Sequence, residues 1–338
     1  MHSMGHYTQQ EVLEYLVKGY FELEVLKAAL MLSGRYQQTL FAISRHRRDK
    51  HFPDRKTEVR SVIEVSNICH QNCNYCAIGS DLSLGKYSLN EQELTRLIEY
   101  LYSKGRRVIL LQSGENNSRF FINSVLRSIE KVKSNHSNLT IILCLGNLSR
   151  NNYLQLRLAG ADRYILKFES SNPEVYKYSK PNDTLDNRLR HINDLFEAGF
   201  AVGSGNIIGL PGQSLTDIAN DLLLLHRYNF SMNSTTAFVP SETSVFKDVP
   251  FGSIECTLNM MALMRIMNPH RLMPATSSLE KIQKGGQLLG LMAGANTITI
   301  HDGTPAELKP FFPIYSNVRI IPQEEYFKDL LKVAEMKF

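Results

Sequence analysis

Three of the five cysteines fall within eight residues, Cys69, Cys73 and Cys76, in the order C-x3-C-x2-C. The thiolate is the form of cysteine that binds soft metals, and three on one short loop can hold three irons of a cubane, a [4Fe–4S] cluster that ordinarily takes four cysteines. Nothing nearby offers a fourth, so one iron would stay open to a ligand, as a catalytic cluster needs and an electron carrier does not. The competing reading is a zinc knuckle of the three thiolates with His70. Against it, His70 is adjacent to Cys69, and the chain cannot easily bring both side chains onto one tetrahedral ion. An odd cysteine count with such clustering also argues for metal over disulfides.

Other polar residues recur at regular places. Ser66 and Asn67, Gln112, Ser113 and Glu115, Gly146 and Asn147, Glu169 and Ser170, Gly209 and Gly212, Ser241, and His301 with Asp302 each follow a short β-branched run. Those runs predict strands at 61–65, 108–111, 140–145, 164–168, 202–208, 233–239, 271–273 and 297–300. Amphipathic stretches at 91–103, 121–132, 153–159, 186–198, 215–228, 258–267 and 279–292 alternate with them. Eight strands alternating with helices over about 250 residues predict an α/β fold of the (β/α)8 TIM-barrel type. A doubly wound open sheet fits the same alternation. The barrel is preferred because polar residues follow many strands, not one switch point, and a barrel gathers all its strand-end loops at one mouth. The first fifty residues read as helices, so the expected organisation is an N-terminal helical extension over 1–58, a barrel over 59–321 and a C-terminal helix over 322–338 packed on it. Met260, Met261, Met264 and Met267, at helical spacing, read as packing.

Composition narrows the class. With 43% hydrophobic and 21% charged residues, a chain of 338 residues can bury a sizeable core, and 20 glycines with 12 prolines exclude collagen-like or low-complexity sequence. No apolar stretch approaches the roughly 20 residues that cross a bilayer, and residues 1–10 lack an apolar signal core, so a cytoplasmic protein without a membrane partner is expected. The net charge of +5 is a mild excess. The basic run from Arg45 to Arg60 lacks interleaved aromatics, so it reads as a solvated helix face and not a nucleic-acid patch.

The cysteine loop, with Tyr75 before its last cysteine and placed after a first barrel strand, resembles the radical S-adenosylmethionine superfamily. Further stretches extend the resemblance from about Tyr15 to Arg319: Leu111-Gln-Ser-Gly-Glu115, Gly160-Ala-Asp-Arg-Tyr164, Asn187-Arg-Leu189, Gly203-Ser-Gly-Asn-Ile-Ile-Gly-Leu-Pro-Gly-Gln213, Pro274-Ala-Thr276 and Gly294-Ala-Asn296. They are similar to the subgroup of biotin synthase, the hydrogenase-maturation enzyme HydE and methylornithine synthase, with HydE the nearest pattern. The resemblance implies that Cys69, Cys73 and Cys76 hold a [4Fe–4S] cluster whose open iron chelates S-adenosylmethionine, and that an electron entering the sulfonium releases a 5'-deoxyadenosyl radical. It implies that Gly114 and Glu115, with Ser113 in place of the family's first glycine, meet the methionine amino group. By the same resemblance Arg188 meets the carboxylate, Glu169 the ribose hydroxyls, Tyr75 flanks the cluster, and Gly205, Ile207 and Gly209 line the adenine. A low-potential electron donor such as flavodoxin or ferredoxin is the implied partner.

The substrate side is thinner. The family's auxiliary-cluster cysteine positions are not matched: Cys144 lies two residues beyond one, and Ser204 occupies another. Ser278 stands where methylornithine synthase carries an aspartate. Thr276 and Ser277 match the hydroxyl pair of HydE, and with Lys167 and His301 they are expected to converge on the open mouth as the catalytic and substrate-binding set. His301 with Asp302 could instead cap the next turn. Hydroxyls and one ammonium suit a carboxylate, because an isolated buried lysine is costly unless an anion arrives. The reading is therefore a HydE-like enzyme in cofactor biosynthesis acting on a small carboxylate- or sulfur-bearing metabolite. A divergent biotin synthase-like sulfur-inserting enzyme and a non-catalytic iron–sulfur or zinc protein are the alternatives.

Overall fold

The structure, a computed structural model, describes residues 7–79, 85–313 and 324–338. The chain runs α1 (Gln9–Lys18), α2 (Leu23–Leu30), α3 (Gly34–His51), β1 (Glu58–Ser66), α4 (Glu91–Ser103), β2 (Val108–Ser113), α5 (Arg119–Asn135), β3 (Thr140–Cys144), α6 (Arg150–Leu158) and β4 (Arg163–Ile165). It continues through α7 (Pro173–Ser179), α8 (Leu185–Glu197), β5 (Ala201–Ile208), α9 (Leu215–Arg227), β6 (Met232–Ala237), α10 (Ile254–Met267), α11 (Ser277–Ile282), α12 (Gly286–Met292), β7 (Thr297–Ile300) and α13 (Glu324–Val333). Local chemistry sets the helix starts: Thr8 with Glu11, Asn90 with Glu93, and Ser214 with Asp217 form reciprocal capping boxes.

The strands pair in parallel in the order β6-β5-β4-β3-β2-β1-β7. The seventh of the eight expected strands, 271–273, is not formed. That segment makes one bridge to each neighbour, Met232 with Leu272 and Pro274 with Thr297, so the ring closes through a join one residue wide. Pro274 has no N–H to extend a ladder, and the Arg271 guanidinium donates to the Leu225 and Tyr228 carbonyls instead of following a strand. The single helix expected over 279–292 is also two, α11 and α12, broken at Gly285, whose φ of 81° lies in the left-handed region.

Alternation inside the barrel builds its floor. At the N-terminal end Glu58 pairs with Arg60 and Arg163, both at 2.7 Å. Above this plug Val62, Leu110 and Ile142 pack as an apolar layer, flanked by Val108, Cys144 and Ile165. The opposite strand faces join the helices in one large core that also takes in the N-terminal helices and the four α10 methionines, all buried.

Part of the basic run turns inward. Arg48 is 2% exposed and donates to the carbonyls of Leu291 and Ala295, Arg45 donates to Met292, and Arg60 is buried in the plug. The expectation of a solvated face therefore fails for these three. α3 lays its basic side against the C-terminal carbonyls of α12, where cations satisfy orphan acceptors and the helix dipole. The expected boundary at 321/322 lies outside the described residues.

Candidate active site

The C-terminal ends of β1 to β6 enclose a cavity of about 360 Å³. Cys69, Cys73 and Cys76 share its wall with Tyr75, Ser113, Gly114, Glu115, Lys167, Glu169, Arg188 and Ile207. A Cβ on Gly114 would lie 2.4 Å from the Ile68 carbonyl oxygen and 2.8 Å from the Cys69 Cβ, so only glycine lets the end of β2 press against the cysteine loop. The Cys69 sulfur then accepts the backbone N–H groups of Gln71 and Glu115, each at 3.4 Å. The Asn74 side chain donates to the Tyr178 carbonyl and its backbone N–H to that of Ser179, tying the loop to α7.

These donors fit the implied cluster. Three soft thiols on one short loop line a single cavity, and a cubane would take each of them on a separate corner iron. Burial pushes up all three thiols, Cys76 to about 11. The fold by itself therefore favours thiols over thiolates, and a bound metal would have to supply the charge that ionises them.

Beside the loop lies a buried charge network. Glu115 accepts from Gln71 Nε2 at 2.6 Å and from the Asn147 N–H at 3.0 Å, with Lys180 Nζ at 3.5 Å and Arg188 at 3.8 Å. Asp183 stands behind both cations, 3.5 Å from each, and accepts from Asn147, Tyr176, Asn187 and the Thr184 N–H. Burial opposes the Arg188 charge, but Tyr176 and Glu115 outweigh it and its pKa is raised. Lys180, Asp183, Gln71 and Tyr176 were not anticipated. The segment 180–184 reads as a turn with a helix cap, and nothing in its pattern says that it folds under the α8 arginine.

On the far wall Glu169 meets Tyr75 OH at 3.4 Å and Lys167 Nζ at 3.0 Å, and Lys167 also reaches Thr236 Oγ1 at 3.4 Å. Lys167 is therefore not the isolated ammonium the sequence suggested; its charge already answers Glu169. Gln112, Cys144, Ile165 and Thr236 complete the floor. Cys144, unlike Cys256, faces this cavity, and burial raises its thiol to about 11.

Five expected residues stand elsewhere. Gly205 is not on the cavity wall; its missing Cβ would lie 1.9 Å from the Ser234 carbonyl oxygen, so it serves the close approach of β5 to β6. Gly209, at φ 97°, packs against Gly252. Thr276 precedes α11 and bonds Ser278 at 3.2 Å, and Ser277 opens that helix, both off this wall. His301 Nδ1 lies 2.8 Å from Glu64, a fully buried carboxylate that also accepts from Thr304, and it too is off the wall.

Comparison with known proteins agrees with this geometry. The sequence profile of the radical SAM superfamily matches residues 63–225. The chain is 33% identical over 312 residues to the [FeFe] hydrogenase maturase subunit HydE of Thermotoga maritima, covering 91% of this chain and 88% of that one. It is 26% identical over 289 residues to the biotin synthase of Bacillus cytotoxicus, covering 83% and 80%. In fold it is similar to the crystal structure of methylornithine synthase, with a TM-score of 0.83 at 23% identity over 96% of each chain.

Proposed function

This chain belongs to the radical SAM superfamily, and on that premise we propose that it cleaves S-adenosylmethionine reductively and directs the resulting radical at a small carboxylate- or sulfur-bearing metabolite, in the biosynthesis of a cofactor and in the manner of HydE. Cys69, Cys73 and Cys76 would hold a [4Fe–4S] cluster, which when bound supplies the electron that breaks the sulfonium C–S bond.

The observation that carries this reading is one cavity that the three thiols share with a carboxylate, Glu115, and two cations, Lys180 and Arg188, already paired with it and backed by Asp183. A zwitterionic methionine end suits that wall. Its ammonium meets Glu115, and its carboxylate meets Arg188 and Lys180, which Asp183 already holds in place. Glu169 and Tyr75 offer an acceptor and a hydroxyl to the ribose, and Ile207 an apolar face to the adenine. Beneath the floor the apolar layer of Val62, Leu110 and Ile142 closes the barrel from below.

Lys167, Thr236, Gln112 and Cys144 take the substrate side, with Lys167 shared between substrate and Glu169. Thr276, Ser277 and His301 belong to the substrate end only if substrate extends beyond this cavity. An external low-potential donor such as flavodoxin or ferredoxin reduces the site. Biotin synthase-like sulfur insertion is less favoured, because Cys144 is the one further cysteine on this wall among the described residues.

The test is anaerobic reconstitution with iron and sulfide. Roughly four irons per chain, with methionine and 5'-deoxyadenosine formed on adding S-adenosylmethionine and reductant, is the expected result. Alanine at Cys69, Cys73 and Cys76 together should abolish both; a triple variant that still holds four irons sinks the ligand assignment.

A further inference from the structure

Glu169 has a φ of 62°, and among the described residues only Arg55 and Glu335 share a positive φ without being glycine. The Ser170 N–H donates to the Phe168 carbonyl at 2.7 Å, so Glu169 is the centre of a three-residue turn. Side chains at L-residues rarely adopt this conformation, and it persists only where surrounding structure over-determines it. On one side β5 does so: the Glu169 N–H donates to Gly205 O at 3.0 Å and the Ile207 N–H to Glu169 O at 2.9 Å, which places Asn206 opposite Glu169.

On the other side stands Asp221 of α9, fully buried. Its Oδ1 accepts the Ser171 N–H at 2.6 Å and its Oδ2 accepts Asn206 Nδ2 at 2.8 Å. One carboxylate thus ties together the residue two beyond Glu169 and the strand partner opposite it. Asp217, a helical turn earlier, accepts from Asn172 Nδ2 at 2.9 Å and extends the tie by one residue. The neighbours of Asp221 on α9, Ile218, Leu222 and Leu225, are apolar and buried, so packing alone would place a leucine there.

We propose that Asp221 is a positioning residue for Glu169: it clamps the turn that aims the Glu169 carboxylate into the cavity beside Tyr75 and Lys167, and through Glu169 it sets the affinity for the nucleoside part of S-adenosylmethionine. This rests on the reading that Glu169 meets the ribose. The clamp does not depend on the charge. Burial pushes the Asp221 carboxyl up to about 7, and Asn206 Oδ1 has no partner, so a protonated carboxyl, or an asparagine, can donate to it once the Asn206 amide turns over.

The experiment measures binding of S-adenosylmethionine to the reconstituted protein by equilibrium dialysis, alongside iron content. Asp221→Ala should keep its iron and weaken binding about tenfold or more, to within about threefold of Glu169→Ala. The double variant should bind no worse than the weaker single one, because Asp221 acts only through Glu169. Asp221→Asn should restore binding to within about threefold of the unaltered protein, which a general structural loss would not do. Losses that multiply in the double variant, or normal binding by Asp221→Ala while Glu169→Ala is weakened, overturn the proposal. Normal binding by Glu169→Ala overturns the ribose reading instead, and the clamp's role with it. Should Asp221→Ala fail to fold, Asn206→Ala cuts one bond and leaves the aspartate. It should then show a smaller loss, and unchanged affinity there, with Glu169→Ala weakened, overturns the proposal equally.

Discussion

The two sides of the cavity are built on different principles. Beside the cysteine loop, Glu115, Lys180, Arg188 and Asp183 lie within 3.8 Å of a partner of opposite charge, every one at most 8% exposed, with Gln71, Asn147, Tyr176 and Asn187 filling the remaining acceptor sites. On the floor a single ammonium, Lys167, answers Glu169, and around it stand an amide, a hydroxyl and a thiol that burial keeps protonated at neutral pH. A wall already dense with paired charge fixes one kind of ligand, a zwitterion, at little reorganisation cost. A sparse floor, with its shape and few hydrogen bonds, fixes far less of whatever it faces.

The largest way to break this contrast is to remove the hub. Asp183→Ala leaves Lys180 and Arg188 buried with only Glu115 between them, and losing one member of a buried ionic network costs about 3–5 kcal/mol. Cys144→Ala on the floor removes one small, uncharged side chain and should cost under about 1.5 kcal/mol. Anaerobic denaturant unfolding of both variants checks this. Equal and small losses would show that the wall is a loose surface-like network, and the distinction between the two sides would go.

The same asymmetry decides what could be read in advance. The cysteine loop was legible because three thiols lie within one short segment whose spacing is itself the signal. Glu115 and Glu169 were legible as strand ends, since a barrel sends all strand ends to one mouth. Position along the axis does not give direction around the ring, and Thr276, Ser277 and His301 illustrate the gap: they occupy the right end, yet the first two go to the α11 start and the third to Glu64. Gly205 and Gly209 were read as cofactor contacts, but their spacing reflects backbone contacts with Ser234 and Gly252 that only the folded chain reveals. Lys180 and Asp183 left no trace, because Lys180 meets Glu115 across 65 residues of chain and Asp183 joins the network only through Lys180 and Arg188 once that contact has formed. The unformed strand at 271–273 has a local cause: Arg271-Leu-Met273 holds no β-branched residue, the Arg271 guanidinium turns to the Leu225 and Tyr228 carbonyls, and Pro274 has no N–H with which to extend pairing.

Lys167 sharpens the boundary between the sides, since it touches both. Lys167→Met removes the ion partner of Glu169 but leaves Glu115 and Arg188 intact. A partly exposed pair contributes little on its own, so binding of S-adenosylmethionine should weaken by less than about tenfold, against a larger loss for Glu169→Ala. Equilibrium dialysis on the reconstituted variants measures both. Should Lys167→Met bind as poorly as Glu169→Ala, the lysine belongs to the cofactor wall, and the substrate side loses its one charge.

The smallest expected effect lies behind the wall, at Asp221, and concerns stability rather than binding. An ordinary aspartate ionises near pH 3.9, whereas burial raises the folded carboxyl to about 7. Between roughly pH 4 and 7 the folded chain therefore holds a proton that the unfolded chain has released, so this group's contribution to stability falls as pH rises through that window and is fully lost above it. Asparagine at this site carries no such proton and still satisfies Ser171 and Asn206. The melting temperature of Asp221→Asn, relative to the unaltered protein, should then rise by a few degrees between pH 5 and pH 8, read by thermal unfolding under anaerobic conditions. Comparing the two proteins at each pH cancels the titration of histidines common to both. A difference that stays flat across the range would mean that the two hydrogen bonds, with the unaltered carboxylate accepting both, fully offset burial and keep Asp221 ionised in the folded state.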